Sequence, residues 1–111
     1  MTLNKELLGL WTIQINQDIH YNDLKQIITS KIQSFLSDLY PNTEIKLSFG
    51  KITRGSLFIE QGRCAQRVVI PINLTIYKHR KKIFTGGAYI TGNDYSTNYL
   101  KVIDIKLWIY M

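Results

Sequence analysis

The sequence predicts an α+β fold: an N-terminal strand and an amphipathic helix packed on a mostly antiparallel sheet, as a two-layer sandwich. Three observations predict it. One stretch repeats its apolar residues at helical spacing, the other apolar stretches alternate, and the alternating stretches follow the helix in a run broken by turn-forming residues.

Residues 10–16 come first. Trp11, Ile13 and Ile15 point one way and Thr12, Gln14 and Asn16 the other, the pattern of a half-buried strand. Residues 22–39 are the clearest element. Leu24, Ile27, Ile28, Ile32, Phe35, Leu36 and Leu39 share one helical face, and Lys25, Gln26, Thr29, Ser30, Gln33, Ser34 and Asp38 share the other. Asn22 or Asp23 suits the N-cap, and Pro41 stops the helix by disfavouring helical geometry just before it.

Residues 43–50 alternate again, with Ile45, Leu47 and Phe49 inward, and residues 56–60 form a short strand candidate. Gly62 begins a turn. Residues 66–77 form the strongest strand, with Val68, Ile70, Ile72, Leu74 and Ile76 in one inward row. Pro71 lies on the opposite row. It has no N–H to give to a ladder, so it marks an edge or a bulge. Residues 78–82 form a basic turn, and residues 83–91 return as the other arm of a hairpin. Gly86 and Gly87 suggest a bulge or a close backbone approach within that arm. Gly92, Asn93 and Asp94 are turn formers. In the tail, Ile103, Ile105, Leu107 and Ile109 alternate, and the β-branched content favours a strand over a helix.

The chain has 111 residues, 45% of them hydrophobic, which suits one domain with one core. No repeat or linker-like stretch divides it. No apolar run is long enough to span a bilayer, and residues 1–10 lack a signal-peptide pattern, so the sequence as written is expected to stay in the cytoplasm. Cys64 is the only cysteine, which excludes an intrachain disulfide; a small, partly buried side chain near a turn is expected there.

The acids are scattered singly, and His20 and His79 lie far apart. There is no nucleophile elbow, no phosphate-cradling glycine loop and no metal-ligand spacing. A non-enzymatic binding protein without cofactor or metal is the expected class.

Fourteen Lys and Arg against eight acids give a net charge of +6, which favours an anionic partner. The densest positive feature is the turn with Lys78, Arg80, Lys81 and Lys82, where a forked guanidinium and mobile ammonium groups suit phosphate. A solvated hairpin tip that blunts a sheet edge would look the same. Lys51, Arg54, Arg63 and Arg67 flank other strand ends, and Arg63 and Arg67 are candidates for a further basic patch. Aromatic residues gather late: Tyr77, Phe84, Tyr89, Tyr95, Tyr99, Trp108 and Tyr110. Aromatics interleaved with bases are one way in which sheets bind single-stranded nucleic acid, but ordinary strand usage of tyrosine is the favoured account of them, because no RNA-binding signature accompanies them.

The order of these elements resembles a known family. The helix with Leu24, Ile27 and Ile28 leads to Ile45-Lys46-Leu47, then to a glycine-containing turn ending at Arg67 and the long strand from Val68 to Tyr77. A charged hairpin, Phe84-Thr85-Gly86-Gly87 and a glycine-to-tyrosine segment from Gly87 to Tyr95 follow. This resembles the LptE-like lipopolysaccharide-assembly lipoproteins of the outer membrane over roughly residues 10–100. The resemblance implies strands with packed helices, a place as a plug within a β-barrel translocon at the periplasmic face of the outer membrane, and lipopolysaccharide and that barrel protein as partners. Lys78, Arg80, Lys81 and Lys82 stand where the lipid phosphates would be met. The family's export signal and lipidated N-terminal cysteine have no counterpart in the sequence as written, because Cys64 lies mid-chain. Two other readings fit the same layout: a phage tail-completion or head–tail joining protein, and a small basic nucleic-acid-binding module.

Overall fold

The computed structural model describes residues 6–111. Its elements run in the order β1 (Leu7–His20), a 3-10 turn (Tyr21–Asp23), α1 (Leu24–Leu39), β2 (Glu44–Phe49), β3 (Thr53–Glu60), β4 (Arg63–Lys78), β5 (Lys81–Asp94) and β6 (Tyr99–Tyr110). The class is α+β, a mostly antiparallel sheet with one α-helix among the described residues.

All six strands join one sheet in the order β1-β6-β5-β4-β2, and β3 also pairs with β4. Every pairing is antiparallel. Four such steps separate β1 from β2, so these two strands run the same way. The connection between them must therefore cross from one side of the sheet to the other. At ~4.8 Å per step the crossing is ~19 Å, and α1, with 16 residues, is ~24 Å long. The helix also runs back along the strands: near its start the Lys25 ammonium lies 5.9 Å from the Phe49 ring centre of β2, and farther on Phe35 packs against Trp11 of β1.

The helix buries Leu24, Ile28, Ile32 and Leu36, one residue per turn. They meet Val68, Ile70, Ile72, Leu74 and Ile76 of β4, Ala88 and Ile90 of β5, and Leu100, Val102, Ile105, Leu107 and Ile109 of β6. Trp11 of β1 packs edge-on against Phe35 of α1 with ring centroids 5.9 Å apart. Asp23 at the helix start makes no side-chain cap; instead the Nδ1 of His20 accepts the N–H of Asn22 at 3.1 Å and caps the 3-10 turn. The C-terminal end stops as the sequence requires: the N–H of Tyr40 donates to the carbonyl of Leu36 at 2.7 Å, and Pro41 follows.

Pro71 lies where a strand interior tolerates it. Its carbonyl accepts the N–H of Gly50 at 2.8 Å, and a strand residue's N and C=O point to the same side. The missing donor therefore faces the gap where β2, paired to Ile72, hands over to β3, paired to Val69. Gly86 and Gly87 mark a close approach and no bulge. A Cβ on Gly86 would collide with the backbone oxygen of Trp108, and one on Gly87 would lie 2.5 Å from its indole ring. The irregularity in this hairpin falls at Ile83, which has no partner between Phe84 and Lys82.

Three expectations need correction. Gly92, Asn93 and Asp94 belong to β5, because their backbones pair with Val68, Arg67 and Gln66, and the chain turns after them. Ile103 is displaced from the inward row by a bulge, and Leu100 and Val102 take over that row. Cys64 is exposed, because the β3–β4 hairpin extends past the end of the helix and nothing covers its side chain. The same overhang leaves Leu57 and Ile59 68% and 78% exposed.

Two substitutions should separate buried from overhanging positions. Ile28→Ala is expected to lower unfolding free energy by about 2–5 kcal/mol, and Ile59→Ser, on the overhang, to lower it by roughly 0.5 kcal/mol or less. Equilibrium urea unfolding of the two variants beside the parent chain measures both.

Candidate ligand-binding face

Strand alternation sends every second side chain away from the helix. Among the described residues no second layer covers that face. The register aligns its side chains in rows. Thr12, Lys106, Tyr89 and Pro71 form one row, and Leu10, Trp108 and Gly87 form the next. Tyr89 and Trp108 touch with ring centroids 5.0 Å apart at an interplanar angle of 54°. The absent side chain at Gly87 is what leaves room for the indole over that position. Tyr89 is 44% exposed, and the exposed Lys106 stands beside it in β6.

Bases and aromatics continue toward both ends of this face. Toward the β4–β5 turn, the Lys46 ammonium lies 5.2 Å from the centre of the Tyr77 ring. Toward the β3–β4 turn, Arg67, Asn93 and Lys101 share a row. The Arg67 guanidinium lies 5.7 Å from the Phe58 ring centre and that of Arg63 lies 4.5 Å from the Tyr95 ring centre. The Tyr95 hydroxyl donates to Glu60 Oε2 at 2.8 Å and holds the ring in place. There the face deepens into a cleft of about 520 Å³, lined by Asp18, Glu60, Arg63, Tyr95, Tyr99 and Lys101 among others. Tyr99 is 50% exposed and is set edge-on against His20, with centroids 5.0 Å apart. Asn93, in the row between Arg67 and Lys101, is 6% exposed and its Oδ1 has no hydrogen-bond partner.

The basic residues read from the sequence divide into two places. Lys78, Arg80, Lys81 and Lys82 stand together, all exposed, at the β4–β5 tip. Lys78 pairs with Lys81, and His79 and Arg80 both have positive φ, as a two-residue type I′ turn needs. Arg63 and Arg67 lie at the other end of the same strand. Arg67 is eleven residues from Lys78, about 36 Å along the extended chain. One continuous basic patch is therefore not formed; the sheet face with its aromatic pair lies between the two.

Arg54 has a different task. Its Nη1 lies 2.7 Å from Asp94 Oδ2 and ties β3 to β5 beside the start of the helix. Burial works against ionisation of Asp94, but hydrogen bonds from Arg54 and from the N–H of Ser96 outweigh it and hold the carboxyl below its usual range. Tyr21 is half-buried next to this pair, and its buried hydroxyl has no hydrogen-bond partner. Burial, and then the nearby Asp94 carboxylate, push its phenol up.

Among the described residues no group of three metal-ligating side chains comes together. No helix is long and apolar enough to cross a membrane. A scan against protein-family models gives no match to this chain, and the searches of curated proteins and of solved structures give none.

Tyr89 and Trp108 stood among the late aromatics of the sequence without being paired, and Lys106, Lys101 and Lys46 were not singled out. The signal was present in the alternation: a strand that points Ile105, Leu107 and Ile109 inward must point Lys106 and Trp108 outward. What the sequence lacked was knowledge that nothing covers the outward side.

The lowered Asp94 carboxyl sets an acid limit on stability. A group depressed in the folded state stabilises above its unfolded value, about 3.9, and that stabilisation is lost as pH falls through the lower folded value. Unfolding free energy is expected to drop as pH falls below about 4, and Arg54→Ala should flatten that part of the curve. Thermal melts followed by circular dichroism across this range measure the slope.

Proposed function

We infer that this protein binds single-stranded nucleic acid across its uncovered sheet face and catalyses no reaction there. The observation that carries this reading is the Tyr89–Trp108 pair with Lys106 beside it, at the centre of a sheet face that has further cation–aromatic pairs toward both ends. Bases stack on exposed aromatic rings whatever their sequence, and ammonium and guanidinium groups follow the phosphates. The net charge of +6 favours approach of a polyanion. Asp104, the acid nearest the centre of the face, is engaged by the Thr91 hydroxyl, which donates to its Oδ1 at 2.6 Å.

A second reading has its own supporting observation. The four exposed bases at the β4–β5 tip suit the phosphates of lipopolysaccharide, as the resemblance to the LptE-like proteins implies, with an outer-membrane β-barrel as the further partner. The two readings use different residues and respond differently to salt and to mutation.

Fluorescence anisotropy with a labelled oligo-dT of roughly a dozen nucleotides separates them. On the sheet-face reading, affinity falls steeply with salt because bound counterions are released. Tyr89→Ala should weaken binding by roughly 5- to 100-fold, the worth of one stacked base, and Tyr89→Phe should preserve it. Lys106→Ala should make the salt dependence shallower. Replacing Lys78, Arg80, Lys81 and Lys82 by Gln should change oligonucleotide affinity by less than Tyr89→Ala does. Absence of saturable oligonucleotide binding, together with lipopolysaccharide binding that the Gln variant abolishes, would overturn the sheet-face reading in favour of the second.

A further inference from the structure

The two edges of the sheet are built differently. On one edge, β2 and β3 are short, 6 and 8 residues, and they carry Glu44, Lys46, Arg54 and Glu60. Short charged strands are the usual protection against unwanted strand pairing. On the other edge, β1 runs for 14 residues with no Lys, Arg or Pro, and among the described residues no strand lies beyond it. That edge carries two irregularities, one at Leu8 and one at residues 15–16, where Asn16 has a φ of 49°. The second interrupts the ladder before Asp18, the only acid in the strand, and between the two irregularities residues 9–14 form an uncharged, regular edge. Their outward backbone donors and acceptors have no protein partner.

The side chains along this edge are unfinished as well. Trp11, Ile13 and Ile15 point toward the helix layer but are only half-buried. Between β1 and α1 runs an open groove of about 390 Å³, lined by Ile13, Ile15, Phe35, Ser30, Ser34 and Lys31 among others. Another strand laid against β1 would satisfy the backbone groups and cover this groove in one step.

We propose that the strand is β1 of a second copy, paired antiparallel about a two-fold axis at Ile13. Such pairing needs a segment that matches its own reverse, and this one does. About Ile13, Trp11 of one copy faces Ile15 of the other, and Thr12 faces Gln14. Apolar side chains therefore meet on the helix side and polar ones on the open side. The axis runs perpendicular to the sheet, so both helices lie on one side and both uncovered faces on the other. Charge supports a self-partner at this place: two chains of net charge +6 repel each other, and β1 is the strand that brings no positive charge to the contact. The interface is isologous, as in most symmetric dimers, and it does not depend on what the uncovered face binds.

Sedimentation and light scattering on the full chain at a concentration on the order of 100 μM test the proposal. The parent chain is expected at twice its 12.9 kDa mass. Thr12 and Gln14 are exposed on the open side, so charges there leave the core intact. Thr12→Lys with Gln14→Lys sets lysine against lysine across the axis and should give a monomer with an unchanged circular-dichroism spectrum. Thr12→Lys with Gln14→Glu sets lysine against glutamate and should restore the dimer. A monomeric parent chain overturns the proposal. So does a dimer that the double-lysine variant leaves intact, because its interface would lie elsewhere, and so does a failure of the Lys/Glu variant to recover the dimer mass.

Discussion

One helix is the whole second layer of this fold, and its contact with the long strand β4 is what the rest depends on. Leu24, Ile28, Ile32 and Leu36 present one residue per turn to the row from Val68 to Ile76. Because β1 and β2 run in the same direction at opposite sides of the sheet, the chain has to cross it and run back along it, and the helix on that connection becomes the lid of the core. A helix of ~24 Å cannot also cover the ends of a 16-residue strand, which extends ~50 Å. The overhanging β3–β4 hairpin with Leu57 and Ile59, the half-buried flank of β1 and the uncovered reverse face all follow from that shortage.

The reverse face is built as a surface. Where a second layer would need a regular apolar row, it has Tyr89 against Trp108 with Lys106 in the same neighbourhood, and arginines stacked on Phe58 and Tyr95 farther along. Gly87 contributes by what it lacks, since any side chain there would take the room that the indole occupies. The Arg54–Asp94 pair fixes β3 to β5 from the helix side, so the cleft between the β3–β4 and β5–β6 turns is framed by strands held in register.

Much of the fold was legible from side-chain periodicity. The helix from 22 to 39, the strand from 66 to 77 and the strand nature of the tail all follow from apolar spacing and β-branched content, and Pro71 was recognised as a point where a ladder is interrupted. Periodicity reads which residues share a face, and it cannot see pairing. For that reason Gly92, Asn93 and Asp94, turn formers by chemistry, were misjudged: their backbones are held in β5 by Val68, Arg67 and Gln66 on the neighbouring strand. Pairing also decides the site. The sequence marked Lys78, Arg80, Lys81 and Lys82 by density of charge and left Arg63 and Arg67 unplaced, while the register sets the two groups at opposite ends of one strand. The alternation of the tail already put Trp108 and Lys106 on one face, but only the strand order shows Tyr89 beside them and no layer above.

The two tryptophans lie on opposite sides of the sheet, Trp11 against the helix and Trp108 on the uncovered face, and they allow the central claim to be tested within one molecule. Single-tryptophan chains, Trp11→Phe and Trp108→Phe, would be titrated with an oligo-dT strand while indole emission is recorded. A binding face built on Tyr89 and Trp108 requires saturable quenching in the chain that keeps Trp108 and little change in the chain that keeps Trp11. Equal quenching of both, or an unresponsive Trp108 in a chain that binds the strand, would contradict the placement of the ligand on the uncovered sheet face.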